Sequence, residues 1–184
     1  MKRQIRSSVF ETNSSSMHSL VVKKDDGCYA DNELRRHLWL GNDGIWKIWD
    51  EDDITFGRYP FKCLCTFESK VRYAIASLCG WRKDAAEQFE EIECIVKEVI
   101  PECTGIELPK VSWIWNADGD DKISYGSVDE DILSPFLKEE NISLKEFFTN
   151  KKYVVIVDGD EYCIWNDLKN SGLVNANEIE KEFG

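Results

Sequence analysis

The sequence contains no long hydrophobic run. No uninterrupted apolar segment approaches the roughly 18 residues that a membrane-spanning helix requires. The first ten residues, MKRQIRSSVF, also lack the apolar stretch that is typical of a secretion signal. We therefore expect a cytoplasmic protein that has no membrane partner.

The common motifs of nucleotide binding and serine hydrolysis are missing too. The sequence contains no G-x-x-x-x-G-K-[ST], no G-x-G-x-x-G and no G-x-S-x-G pattern. A calcium-binding loop that begins at Asn116 would need Gly at position 121 and Glu at position 127, where the sequence has Asp and Ser. The acidic turn at 157–161 fails in the same way. We therefore predict no cofactor and assign no catalytic residue.

The chain has only two histidines, and its seven cysteines are not spaced for a metal site. Zinc sites draw four ligands from short-spaced pairs. Here Cys63 and Cys65 form a C-x-C pair and the other cysteines stand apart. An odd number of cysteines without a secretion signal indicates reduced thiols. We interpret the cysteines as free and buried, and we predict no metal site.

Negative charge dominates the composition, with a formal net charge of −12. Residues 1–24 carry five basic side chains against one acidic side chain, a net charge of +4, so the other 160 residues hold −16. Such a body repels nucleic acid and is attracted to a basic protein surface, such as a groove that normally holds nucleic acid. We expect direct binding of nucleic acid only through the basic N-terminal strip. The alternative is that the negative charge only keeps the protein soluble and has no role in binding.

The order of elements predicts an α+β fold, a mainly antiparallel sheet with hairpins and two to four helices packed on it. Strands are expected over 4–10 and 19–24, and hairpin turns at Asp118-Gly119 and Asp158-Gly159. The apolar spacing predicts a short helix over 31–42 and longer helices over 66–80 and 84–101. We treat 1–184 as one domain, with a soft boundary near 101–109.

The stretch VFETNSSSMHSLVV places several hydroxyl groups beside a histidine between the first two strands. Its polar residues include Asn13, Ser14, Ser15, Ser16 and His18. One interpretation is a turn whose side chains satisfy the backbone. A second is a phosphate cradle completed by Arg3 and Arg6. A third is catalysis, with Ser16 as nucleophile and His18 as base, although no third group is evident to orient the imidazole.

Tryptophan recurs in three short alternating segments, IWKIW, WIW and YCIW. Alternation on a strand places large rings on one face, and most of these rings are expected in the core. Any tryptophan that is exposed is a candidate anchor for a protein partner, because tryptophan is enriched in interface hot spots.

The segments IRSSVFETNSSSMHSLVV, FGRYPF, YGSVDEDILSPFL and ISLKEFFTNKKYVVIVDGDEYCIW together resemble small proteins of phages and mobile elements of Gram-positive bacteria. The resemblance extends over most of the chain. Some proteins of this kind inhibit host defence, and they include type II anti-CRISPR proteins. The resemblance implies a phage-encoded inhibitor, and it assigns a role to no individual residue.

The leading hypothesis is a non-enzymatic inhibitor that binds a host defence nuclease, or the complex of that nuclease with its guide RNA, in the bacterial cytoplasm. An acidic run is expected to meet the Lys and Arg side chains of the partner; it consists of Asp50, Glu51, Asp52 and Asp53. The N-terminal loop with Arg3 and Arg6 is a second candidate contact. The alternatives are an enzyme that acts on a phosphate or acyl group through Ser16 and His18, and a phage structural or assembly protein.

Overall fold

The computed structural model describes residues 4–6, 17–23, 27–48, 54, 56, 62–79, 84–109 and 131–158. These residues form an α+β fold whose strand pairs are mainly antiparallel, as the sequence predicts. The strands are β1 (Gln4–Arg6), β2 (Met17–Val22), β3 (Ile45–Lys47), β4 (Lys62–Leu64), β5 (Gly105–Glu107) and β6 (Tyr153–Asp158). The helices are α1 (Asp31–Leu34), α2 (Phe67–Cys79), α3 (Ala85–Val99), α4 (Leu133–Glu140) and α5 (Leu144–Thr149). The described residues thus hold five helices, against an expected two to four.

The larger sheet has the strand order β1-β2-β6-β4, and every neighbouring pair in it is antiparallel. Strand β6 is interior to this order, and its register places Val155 opposite both Leu20 of β2 and Leu64 of β4. Val155 and Leu20 are at most 1% exposed. The β-branched run YVVIVD therefore forms a core strand, which agrees with the preference of such residues for half-buried and buried strands.

A second, smaller sheet pairs β3 with β5 in parallel. Trp46 lies opposite Ile106 in this pair, and its side chain is fully buried. Gly44, just before β3, has φ +77°, and a Cβ there would lie 2.7 Å from the carbonyl oxygen of Glu102. Only glycine fits this approach without strain. Sequence periodicity did not predict the parallel pair, because a three-residue strand carries no information about its partner.

Helices α2 and α3 pack against each other and carry much of the core. The start of α2 is capped reciprocally: Thr66 Oγ1 accepts a hydrogen bond from the Ser69 N–H, and Ser69 Oγ accepts one from the Thr66 N–H, both at 3.1 Å. Apolar side chains at helical spacing on both helices are buried. They comprise Val71, Ile75 and Leu78 on α2, and Ile92 and Val96 on α3.

An aromatic cluster joins α4 and α5 to the larger sheet. The rings of Phe136 on α4 and Phe147 on α5 meet edge to face, with centroids 6.2 Å apart, and Phe136 meets Tyr153 of β6 in the same way at 6.0 Å. Ser143 caps the start of helix α5, because its Oγ accepts a hydrogen bond from the backbone N–H of Glu146 at 3.1 Å.

Helix α1 is much shorter than the helix predicted over 31–42. It begins after Ala30, whose backbone N–H donates to the Glu33 carboxylate at 2.8 Å, and it ends at Leu34. The chain then turns, and Leu40 forms an antiparallel bridge with Trp46. The pairing with β3 therefore competes successfully with local helix propensity. The predicted hairpin at Asp118-Gly119 and the second strand after Asp158-Gly159 lie outside the described residues.

Candidate functional site

The backbone positions of Arg6 and His18 are the described part of the predicted N-terminal site. Arg6 in β1 lies opposite Ser19 of β2, and His18 in β2 lies opposite Val157 of β6. The two residues thus occupy neighbouring strands at the same end of the sheet. The remaining predicted residues of this loop lie outside the described residues: Arg3, Asn13, Ser14, Ser15 and Ser16. The turn, the phosphate cradle and the nucleophile therefore all stay predictions.

The predicted acidic run of Asp50, Glu51, Asp52 and Asp53 also lies outside the described residues. The residues that precede and follow it are anchored in the core, since Ile48 is 2% exposed and Ile54 is fully buried. A role for this run in partner binding stays a prediction.

The described part of the chain contains a different concentration of negative charge, on the N-terminal half of α3. Four carboxylates there are solvent-exposed: Asp84, Glu87, Glu90 and Glu91. We call these four residues the acidic face. The opposite side of the helix is buried through Ala85 and Ile92, which holds the acidic face outward. This agrees with the amphipathic pattern in the sequence.

Several acidic residues further along the chain differ from the acidic face because they form ion pairs. Four later glutamates have basic partners: Glu93 with Lys97, Glu98 with Lys145, Glu102 with Arg35, and Glu107 with Lys47. Within the described residues, the acidic face has no such partner. Its charge is therefore available to an external cation, although the positive end of the helix dipole also stabilises carboxylates in the first turn.

Trp39 is the one large hydrophobic side chain that is strongly exposed in the described ranges, at 75%. Its backbone is fixed, because its carbonyl oxygen accepts a hydrogen bond from the Lys47 N–H and the neighbouring Leu40 bridges to Trp46. Its segment is also tied to the end of α3 by the ion pair between Arg35 and Glu102. A rigidly held, exposed tryptophan is the type of residue that anchors a protein interface.

A buried lysine lies where α2 meets the turn between α5 and β6. The ammonium group of Lys70 donates hydrogen bonds to the carbonyl oxygens of Phe147 at 2.9 Å and Asn150 at 2.7 Å. The same nitrogen lies 4.9 Å from the ring centroid of Tyr29. Burial lowers the pKa of Lys70 to about 7, whereas the carbonyl and ring contacts favour the charged form.

The thiol of Cys65 lies within electrostatic range of this lysine. Cys63 in β4 and Cys65 immediately after β4 are both half-buried, and a hydrogen bond between their side chains lowers the pKa of Cys65 to about 6. Burial opposes this shift, and the positive charges of Lys23 and Lys70 add to it. The same hydrogen bond raises the pKa of Cys63. The hydroxyl of Tyr29 donates to the backbone carbonyl of Cys65.

Sequence reasoning missed this group of residues and was partly wrong about the cysteines. Cys79 and Cys103 are buried as expected, but Cys28 and Cys94 are exposed. The sequence did contain one indication of this group, because Lys70 lies among the buried positions of α2, between Phe67 and Val71. A charged residue at such a position is unusual unless it is paired or hydrogen-bonded.

The described residues show no group of three or more His, Cys, Asp or Glu side chains that could hold a metal ion. No helix in those ranges is sufficiently long and apolar to span a membrane. Comparison of the chain with family models, with curated proteins and with solved structures finds no match.

Proposed function

We propose that the protein is a non-enzymatic inhibitor of a bacterial defence nuclease and acts in the cytoplasm of the bacterial host. Its partner is a CRISPR effector, free or loaded with guide RNA, whose basic channel normally holds nucleic acid. The inhibitor competes with the phosphate backbone for that channel by presenting carboxylates. As expected from the sequence, acidic side chains contact the basic surface of the partner. The residues proposed for this contact are now the acidic face of α3.

The observation that carries the proposal is the acidic face of α3. Its four carboxylates are exposed and have no basic partner within the described residues, whereas four later glutamates form ion pairs. The net charge of −12 adds a long-range field of the same sign. Charge of one sign on a rigid helix raises the rate of association with a surface of opposite charge. It also disfavours partners that lack such a surface.

Trp39 supplies the apolar contact that charge alone does not provide. Exposed charge pairs contribute little to affinity, while a buried tryptophan at an interface contributes a large part of it. Because the side chain of Trp39 is 75% exposed in the isolated protein, burying it against a partner costs no internal packing.

The proposal is tested by measuring binding to a type II CRISPR effector loaded with guide RNA. The double substitution Glu90→Gln with Glu91→Gln is expected to weaken binding about tenfold, which corresponds to about 1.4 kcal/mol. The matched control is Glu139→Gln with Glu140→Gln on α4, which removes the same charge elsewhere on the chain. We expect the control to bind as the unmodified protein does.

Trp39→Ala is a second variant for the same measurement. We expect it to weaken binding more than about tenfold while leaving the melting temperature unchanged, because its side chain makes little contact within the protein. Equal losses in the α3 double variant and in the α4 control, or unchanged binding of Trp39→Ala, would contradict this placement of the surface.

A further inference from the structure

Residues 27–30, immediately before α1, lie against the turn between α5 and β6, and we call them the strap. Two backbone hydrogen bonds hold the strap to this turn. The Tyr29 N–H donates to the carbonyl oxygen of Thr149 at 2.9 Å, and the Lys151 N–H donates to the carbonyl oxygen of Gly27 at 2.8 Å. The strap therefore crosses the chain at the point where the carbonyl groups that bind Lys70 are located.

Tyr29 is the side chain through which the strap covers the ammonium group of Lys70. The centroid of its ring lies 4.9 Å from the ammonium nitrogen, and its hydroxyl donates a hydrogen bond to the backbone carbonyl of Cys65. The other contacts of the ammonium group are the carbonyl oxygens of Phe147 and Asn150. The Lys70 side chain is fully buried. Water therefore reaches this charge only when one of the surrounding parts moves.

The strap is the part around Lys70 that moves at the lowest cost. Three of its four residues are exposed, and Tyr29 is half-buried, whereas Phe147 of α5 and Val71 of α2 are fully buried. Opening the strap breaks two backbone hydrogen bonds and the contacts of one ring. Segments with few buried side chains and exposed backbone hydrogen bonds open locally, without unfolding of the whole protein.

We propose that the strap is a pH-sensitive latch, which closes more firmly over Lys70 as the pH rises above neutral and opens more readily as the pH falls. An ammonium group loses hydration under the strap and recovers it when the strap opens, so the open form binds a proton more tightly than the closed form does. The latch is independent of the proposed inhibition, since neither the acidic face nor Trp39 takes part in it.

The pH range of the latch follows from the two protonation equilibria of Lys70. Burial lowers the pKa of Lys70 to about 7 in the closed form, whereas a hydrated lysine has a pKa of about 10.4. Between these values the open form binds more protons, so each rise of one pH unit lowers the equilibrium constant for opening by up to about tenfold. Below pH 7 both forms are protonated, and the pH has no further effect through Lys70.

Two charged neighbours act on Lys70 in opposite directions. The negative charge of Cys65, which follows β4, raises the pKa of Lys70, and the positive charge of Lys23, which follows β2, lowers it. The pKa of Cys65 is itself lowered to about 6 by its hydrogen bond with Cys63. Because the charge of Cys65 also depends on pH, the test of the latch removes this thiol.

The titratable groups on the strap side keep the direction of the effect up to about pH 9. Burial raises the pKa of Tyr29, so ionisation of its phenol favours opening only near pH 10, where an exposed tyrosine ionises. The ammonium nitrogen of Lys151 lies 5.7 Å from the centroid of the Tyr29 ring and forms an ion pair with Glu33 of α1. Between pH 7 and pH 9 the dominant change is therefore the loss of the proton from Lys70.

The test measures hydrogen exchange of single backbone amides by NMR between pH 7 and pH 9, in the full chain with Cys65→Ser. The amides of Tyr29 and Lys151 report on the strap, because they donate the two hydrogen bonds that hold it. We expect the protection factor of both amides, the ratio of the intrinsic to the observed exchange rate, to rise by up to about tenfold per pH unit. Adding Lys70→Met should abolish this rise.

The amide of Ile100 is the internal control. It donates to the carbonyl oxygen of Val96 at 2.8 Å at the end of α3, and its side chain is fully buried. We expect this amide to be more protected than those of Tyr29 and Lys151 over the whole range. Equal protection of the three amides would show that Lys70 is exposed only when the whole protein unfolds, and it would overturn the latch.

A measurement that keeps Lys70 guards against a Lys70→Met variant that does not fold. The ¹³Cε chemical shift of Lys70 follows the proton on its own nitrogen. In the unmodified, folded protein its titration midpoint should lie near pH 7, and in urea it should move to about pH 10.4, the value of an ordinary lysine. Equal midpoints in the two conditions, or a rise in strap protection that persists in Lys70→Met, would overturn the proposal.

Discussion

The ammonium nitrogen of Lys70 lies 2.7 Å from the backbone carbonyl oxygen of Asn150, and this hydrogen bond crosslinks α2 to the turn before β6. The Lys70 side chain is fully buried, so the bond replaces hydration that the ammonium group has lost. The rings of Tyr29 and Phe147, with centroids 4.9 and 5.5 Å from the nitrogen, add cation–π attraction. A charged group thus lies in the middle of an otherwise apolar interface.

Protonation of Lys70 makes stability depend on pH. Burial lowers its pKa to about 7 in the folded protein, whereas an unfolded chain keeps the proton to about pH 10.4. Between these values the unfolded state binds more protons, so the free energy of unfolding rises with pH. Below pH 7 the cost of burying the charge is fully present.

The variant Lys70→Met isolates this effect. The difference in the free energy of unfolding between the unmodified protein and Lys70→Met should rise from pH 7 to pH 10, at up to about 1.4 kcal/mol per pH unit. Lys70→Met also removes a positive charge that lowers the pKa of Cys65, so both proteins carry Cys65→Ser in this comparison. Lys138→Met, at an exposed position on α4, is the control and should leave the pH profile unchanged. A difference independent of pH would mean that Lys70 keeps its ordinary pKa.

Two serines of α2 should respond oppositely to the same substitution. The Ser77 side chain is 3% exposed, and its hydroxyl has no hydrogen-bond partner within the described residues. Ser77→Ala removes this unsatisfied polar group and should stabilise the protein by about 1 kcal/mol. Ser69→Ala removes one half of the reciprocal cap with Thr66 and should destabilise it by about 1 kcal/mol. Urea unfolding measures both, and destabilisation by Ser77→Ala would show that its hydroxyl is hydrogen-bonded.

Gly44 lies so close to the turn after α3 that we expect a side chain at this position to destabilise the protein. A Cβ at this position would lie 2.7 Å from the carbonyl oxygen of Glu102, and the φ of +77° is itself strained for alanine. We expect Gly44→Ala to cost more than about 2 kcal/mol of stability. Gly27→Ala is the matched control: its φ is +140°, but no atom lies within 4 Å of the added Cβ. An equal loss in the two variants would show that the contact with Glu102 is unimportant.

The local features of the fold were predictable from the sequence. The spans of helices α2 and α3 follow from the apolar spacing of the sequence, and the structure confirms them. The pairing of β4 with β6 and of β3 with β5 was not predictable. Each involves a three-residue strand whose partner is distant in the chain, so no local pattern specifies it.

The candidate site was predictable only in part. The outward direction of the glutamates on α3 follows from the helical period, whereas the pairing of the later glutamates depends on tertiary contacts such as that of Arg35 with Glu102. The exposure of Trp39 and the burial of Trp46 could not be distinguished, because both belong to similar apolar segments. The sequence shows that Lys70 is a charged residue among the apolar core positions of α2. Its hydrogen-bond partners could not be predicted, because the carbonyl groups that accept from it lie far along the chain.

The most direct test of the central claim is the affinity for a guide-loaded type II CRISPR effector, measured as salt rises from about 50 to about 300 mM, where screening shortens the reach of exposed charges. The account predicts a steep loss of affinity with salt, and a shallower dependence in the variant with Glu90→Gln and Glu91→Gln. Affinity that does not change with salt, or no binding at low salt, would contradict it.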